Sequence, residues 1–144
     1  MSPLAVSSAG SLNNSLASSG ISPTDSPEER FFLAHALEHK GEFARAADLY
    51  QRGAVIAPNY IDLRIGLARV ELHLGQTKEA RQMSLQVLHQ FGDNADALLV
   101  AGLASWRSGD RDAARVYLEK GAKLARNDSD FQIALARLAE EKPR

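Results

Sequence analysis

The chain contains no cysteine, which excludes disulfides, thiol nucleophiles and every zinc site built on sulfur ligands. The compartment stays open on that ground, because a cysteine-free chain persists in oxidising and reducing surroundings alike. An excess of one charge is missing too: 17 Lys and Arg stand against 18 Asp and Glu in 144 residues, a net charge of -1. No global field gathers phosphate backbones or anionic lipid, so nucleic acid is not an expected partner. The leading residues lack Lys and Arg, and their longest apolar run, Leu4-Ala5-Val6, is far too short for a secretory core. No other stretch is long and apolar enough to span a bilayer, so membrane insertion is not expected and a cytoplasmic location is the default. There is no P-loop, no G-x-G-x-x-G after a strand pattern and no G-x-S-x-G elbow. Neither a catalytic role nor a cofactor is expected.

What is present falls into two regimes. Residues 1–26 are mostly Ser, Gly, Ala, Asn and Pro, with Asp25 as the only charged side chain. Such a segment buries too little apolar surface to offset its ordering entropy, and it reads as a disordered leader. A second reading has Leu4, Val6, Leu12, Leu16 and Ile21 docking in the protein's own groove or on a neighbouring copy. The composition changes at Ser26-Pro27-Glu28-Glu29, where a Ser N-cap, a Pro at N1 and a Glu at N3 form a capping-box signature. A helix is predicted to start there, and neither remaining proline, Pro58 or Pro143, interrupts a periodic segment.

From that point the sequence repeats. Gly41, Gly75 and Gly109 recur at one fixed interval, and Ala46, Ala80 and Ala114 recur at the same interval. The registers run 27–60, 61–94 and 95–128, with 129–141 opening a fourth unit that stops after one helix. Each unit holds two apolar-periodic segments parted by its glycine, which predicts antiparallel helix hairpins. In the first segments Leu33, Leu67, Ala101 and Leu135 precede the small residues Ala34, Ala68, Gly102 and Ala136, where two backbones come close. The last segment mixes Phe131, Ile133, Ala134, Leu135 and Leu138 with charged residues and reads as a solvating cap, so the end at Pro143-Arg144 reads as natural.

This pattern resembles the tetratricopeptide repeat, whose 34-residue period carries W-x2-L-G-x2-Y, A-x3-F and P signatures. Leu33-Ala34, Leu37, Ala46, Tyr50 and Pro58 match in the first repeat. Arg30, Arg64 and Leu98 replace the Trp, and Glu71 and Ser105 replace the Tyr. The resemblance implies an all-α right-handed solenoid of three helix hairpins plus a capping helix. It also implies a concave groove, lined by the first helix of each pair, that holds a protein or peptide client.

Carried onto this sequence, the groove would be lined by Phe31, His35, His39, Ile65, Arg69, Leu72, His73, Leu99, Leu103, Trp106 and Arg107, with Ile133 and Arg137 from the cap. Phe31, Ile65, Leu99 and Ile133 hold equivalent positions, as groove ladder or as core. Trp106 is the better candidate anchor, because Trp is enriched among binding hot spots. Glu28, Asp62, Asp96 and Asp130 recur in the first helical turns, where carboxylates offset the helix dipole. The Lys and Asn of the family's carboxylate clamp are replaced by Phe31, His35, Gly66, Asp96 and Val100, so chaperone tails are not the expected ligand.

One motif looks catalytic. His35-Ala36-Leu37-Glu38-His39 is formally H-x-x-E-H, the inverted zinc-protease signature, and His73 lies one repeat after His39. A metal held by these three imidazoles is the sharper alternative; a His-lined groove, with no metal, is the plainer one. Overall the sequence points to a small adaptor or chaperone, set by its compact size in a bacterial secretion or assembly system. A self-associating repeat protein, forming a homo-oligomer, is the second reading.

Overall fold

The structure is a computed structural model that describes residues 26–141. The expected leader therefore lies outside the described residues except for Ser26, as do Pro143 and Arg144. Seven helices follow one another: α1 Pro27–His39, α2 Phe43–Ile56, α3 Ile61–His73, α4 Thr77–Phe91, α5 Ala95–Arg107, α6 Arg111–Leu124 and α7 Ser129–Glu140. No strand occurs among the described residues. The starts of α1, α3, α5 and α7 are evenly spaced, and those of α2, α4 and α6 keep the same spacing.

Local chemistry sets the helix ends. Ser26 closes a full capping box with Glu29, each side chain bonded to the other's backbone N–H at 3.2 and 3.3 Å. Asn94, Asp110 and Asp128 cap α5, α6 and α7 through their side chains. Glu28, Asp62, Asp96 and Asp130 all fall in first turns. The turn inside each hairpin is made by Gly41, Gly75 and Gly109, whose φ values of 80, 79 and 86° are costly for any residue with a Cβ.

Every helix packs on its chain neighbours, and α1, α3, α5 and α7 also touch in series, which gives an all-α helix-hairpin solenoid. The small residues explain the spacing. Ala34, Ala46, Ala68, Ala80 and Ala114 have no exposed surface. Gly66 admits the Tyr50 ring so closely that a Cβ there would lie 2.3 Å from Tyr50 Cε1. Ala136, expected at the same kind of close approach, is exposed, because no second helix follows α7 among the described residues. Apolar side chains gather at each junction: Leu49, Tyr50, Leu63 and Val70 at the first, and Leu98, Leu118, Phe131 and Leu138 at the last.

The motif's lost aromatics leave polar atoms inside. Arg30, at the Trp position, is almost completely buried, and Ser105, at the Tyr position, is fully so. Glu71, the other Tyr replacement, has a buried Oε1 with no hydrogen-bond partner. Burial, and then repulsion from Glu79, push its carboxyl up to about 7.

Candidate functional site

The first helices bring three residue pairs into register across the junctions, all at one sequence separation: Glu38 with Arg69, Leu72 with Leu103, and Trp106 with Arg137. These pairs form successive rungs on one face. Their chemistry differs completely.

At the first rung, Arg69 grips the Glu38 carboxylate with two nitrogens, Nε to Oε2 and Nη2 to Oε1 at 2.8 Å. The Tyr50 hydroxyl donates to the same Oε1 at 2.7 Å, so α1, α2 and α3 meet on one carboxylate. Burial alone would raise Glu38, but hydrogen bonds from Arg69 and Tyr50 and the Arg69 charge outweigh it and hold the carboxyl below its usual range. Burial, and then the hydrogen bond to Glu38, push the Tyr50 hydroxyl up. Burial alone would lower Arg69, but its bonds to Glu38 hold the guanidinium firmly charged. The sequence assigns Arg69 to a ligand-facing surface; the structure makes it a staple between two repeats. Sequence reasoning places Glu38, Tyr50 and Arg69 correctly on their helices without pairing them. The interval from Glu38 to Arg69, recurring twice more, is the signal that finds the pair.

His35 borders this staple, its Nδ1 3.4 Å from the Tyr50 hydroxyl and 3.6 Å from Glu38 Oε1, and His39 pairs with it. Their Nε2 atoms are 2.9 Å apart, and His35 stacks on Phe31 with ring centroids 5.1 Å apart. His73 does not join them: its ring lies flat on Phe43, with centroids 4.3 Å apart and planes 3° apart. Glu38 is engaged by Arg69 and Tyr50 rather than directed at a metal-bound water. Among the described residues no group of three or more His, Cys, Asp or Glu could hold a metal ion. The three-imidazole arrangement that H-x-x-E-H suggests is thus corrected: two rings pair, and the third packs elsewhere.

The second rung is closed by apolar contact. Leu72 is 6% exposed and Leu103 packs against its cluster with Val100 and Ala104. Ile65 is 2% exposed, enclosed by Val87 and Ala97. Both Leu72 and Ile65, expected along the groove, belong to the core. The ladder expected from Ile65 and its equivalents breaks up, since Phe31 and Leu99 are half-buried while Ile133 is 52% exposed.

At the third rung the face opens. Trp106 and Arg137 line a cleft of about 1240 Å³ together with Leu99, Leu103, Arg107 and Ile133. The Trp106 indole N–H donates to Glu141 Oε2 at 2.6 Å, which fixes the ring at the end of α7. Arg107 donates to the Leu72 carbonyl at 2.7 Å and Arg111 to the Leu138 carbonyl at 2.7 Å, so each closes the C-terminus of a first helix. Asp110 is bound by Arg81 at 3.0 Å, and Asp112 by Arg115 at 3.6 Å. Arg137 and Asp130 are left as the cleft's charges whose side chains make no hydrogen bond or ion pair among the described residues.

Fold and groove together define a helical-repeat interaction module. Tetratricopeptide repeat profiles match residues 37–84 and 95–128. The chain belongs to the tetratricopeptide-repeat family. It is 28% identical over 111 residues to the Protein CTR9 homolog of Arabidopsis thaliana, an alignment covering 74% of this chain. The chain spans about a tenth of that relative's length (10%). Among solved structures it is similar to the second such domain of the human RPAP3 protein, in complex with an HSP70 peptide, at a TM-score of 0.70 and 18% identity. That match covers 81% of this chain and 100% of the other. It is also similar to YrrB, described as having an unusual peptide-binding site, at a TM-score of 0.66 and 19% identity over 90% of this chain and 67% of that one. No helix among the described residues is long and apolar enough to cross a membrane.

Proposed function

We propose that this chain holds a short polypeptide segment of a client protein in the cleft between α5 and α7. The observation that carries this reading is the open third rung. The equivalent positions are filled by an ion pair at the first junction and by leucines at the second, whereas half-buried Trp106, bonded to Glu141, and unpaired Arg137 border an open cleft. A large amphipathic ring beside exposed Ile133 supplies an apolar anchor, and an unpaired guanidinium one turn further along α7 supplies a bond for a carboxylate. The fitting ligand is a segment with one bulky apolar side chain next to an acidic group. Peptide binding by two neighbours in fold, the human domain and YrrB, supports the use of this architecture. The human domain's HSP70 peptide is not transferred, because His35, Gly66 and Val100 stand where the carboxylate clamp would be.

The role that follows is that of an adaptor or small chaperone without a reaction of its own. A setting in bacterial secretion or assembly is suggested only by the compact run of three hairpins and a cap. Trp106 is the single tryptophan of the chain, so its emission reports on the cleft directly. Peptides selected from a random library on the immobilised protein should be rich in apolar-acidic pairs and should shift that emission on titration. Ile133→Ala with Arg137→Ala should weaken them by roughly tenfold or more, about 1.4 kcal/mol. Selected peptides that bind this double variant as tightly as wild type, with no change in emission, overturn the reading.

A further inference from the structure

A second surface has no counterpart in the proposed cleft. On α1, Phe32 is 68% exposed, Leu33 is 37% exposed and Ala36 is exposed, an apolar stripe along one side of the helix. One repeat later the same positions are Gly66, Leu67 and Val70, and two repeats later Val100, Ala101 and Ala104; all six are buried. They are covered because α2 packs on α3 and α4 packs on α5. The face that each later repeat buries under the preceding second helix is therefore bare on α1.

We infer that residues 9–22 of the same chain dock on this face. Two observations select that occupant. First, Leu12 and Leu16 stand one full repeat before Ala46 and Tyr50, the pair that fills the junction onto α3. Leu16 precedes Phe32 by the same interval that separates Tyr50 from Gly66, and Tyr50 lies directly on Gly66. The tether is thus the right length to set Leu16 on Phe32. Second, the face is small. A stable contact between separate molecules needs roughly 1,000 Å² or more of buried surface, and an aromatic side chain supplies only about 150–250 Å². A segment joined directly to Ser26 meets α1 at an effective concentration on the order of millimolar, so a weak contact suffices in cis.

Hydrogen exchange on the full chain tests this, comparing wild type with Leu12→Asp/Leu16→Asp and with Phe32→Asp. Amides of α1 should exchange roughly tenfold faster in both variants, and no faster when the two are combined. Amides of α5 and α6 should be unchanged, which shows that the solenoid is still folded, and Leu4→Asp/Val6→Asp should behave as wild type. Unchanged α1 exchange in Leu12→Asp/Leu16→Asp overturns the inference. So does α1 protection that rises with protein concentration alongside a dimer in sedimentation that Phe32→Asp abolishes, since a second copy would then be the occupant.

Discussion

The first and third junctions share one backbone plan and an apolar base, and they differ in how the face above that base is closed. Between the first and second repeats, the face of the first helices is closed by a carboxylate gripped by a guanidinium and a phenol. Between the third repeat and α7, Leu98, Leu118, Phe131 and Leu138 form the base, Trp106 and Arg111 bond to the end of α7, and Arg137 beside them borders an open cleft. In the staple the Glu38 carboxylate, the Tyr50 hydroxyl and two nitrogens of Arg69 are committed to one another. At the third junction the Arg137 guanidinium has no such partner among the described residues. On the proposed reading, binding falls at one junction of a solenoid whose geometry is nearly periodic.

Removing the apolar base should have the largest effect. Phe131→Ala takes away a fully buried ring and should lower stability by roughly 3–5 kcal/mol, read from urea denaturation. Gly121→Ala tests the same seat from the other side, since a Cβ would lie 2.0 Å from Phe131 Cε1; about 1–3 kcal/mol should be lost. If both variants unfold at the wild-type midpoint, α7 is not held as described.

Next comes the staple. Glu38→Ala leaves the Arg69 charge, 29% exposed, and the buried Tyr50 hydroxyl without their shared acceptor. The loss should be about 2 kcal/mol, less than the roughly 3–5 kcal/mol of a fully enclosed pair because water reaches Arg69. The double replacement Glu38→Leu/Arg69→Leu copies the second rung onto the first and should return most of that loss. A double variant no more stable than Glu38→Ala would show that the rungs are not interchangeable, and the comparison would fail.

The smallest effect distinguishes two half-buried carboxylates by the sign of their pH dependence. Glu38 is held low in the folded state, so its stabilisation is present above the ordinary value of 4.5 and fades as pH falls through the folded value. Glu71 is raised to about 7, so the folded protein loses stability as pH climbs from 4.5 to about 7 and stays at that lower level above it. Glu71→Gln should therefore melt higher than wild type at pH 8, with the difference shrinking below pH 5. A constant difference at all pH values would mean that Glu71 does not titrate in this range.

The period, the hairpins and the first helix start were legible in the sequence because each rests on a local rule. Gly41, Gly75 and Gly109 must reverse the chain with a positive φ, and Ser26 with Glu29 must satisfy the first free amides. The groove was less legible. Phe31, Ile65, Leu99 and Ile133 occupy one helical position, yet their burial runs from nearly complete to half exposed. What covers each is decided by the size of side chains on other helices, Val87 and Ala97 in the case of Ile65. The staple was hidden for a related reason. Glu38 and Arg69 both read as surface charges in their own helices, and only the superposition of two repeats brings them together. The same superposition separates His73 from His35 and His39, because an aromatic neighbour, Phe43, offers it a flat surface.

The spacing of the rungs also bears on how such a chain can be rearranged. A rung joins the last turn of one first helix to the middle of the next, so a block exchanged at the hairpin boundaries would split every rung it touches. A block one repeat long that begins at Glu38, Leu72 or Trp106 keeps both members of its pair: Glu38 with Arg69, Leu72 with Leu103, Trp106 with Arg137. The unit of exchange is therefore offset from the unit of folding. Blocks cut in that frame would carry both members of a rung, while the open cleft would still draw Leu99, Leu103 and Glu141 from outside its block.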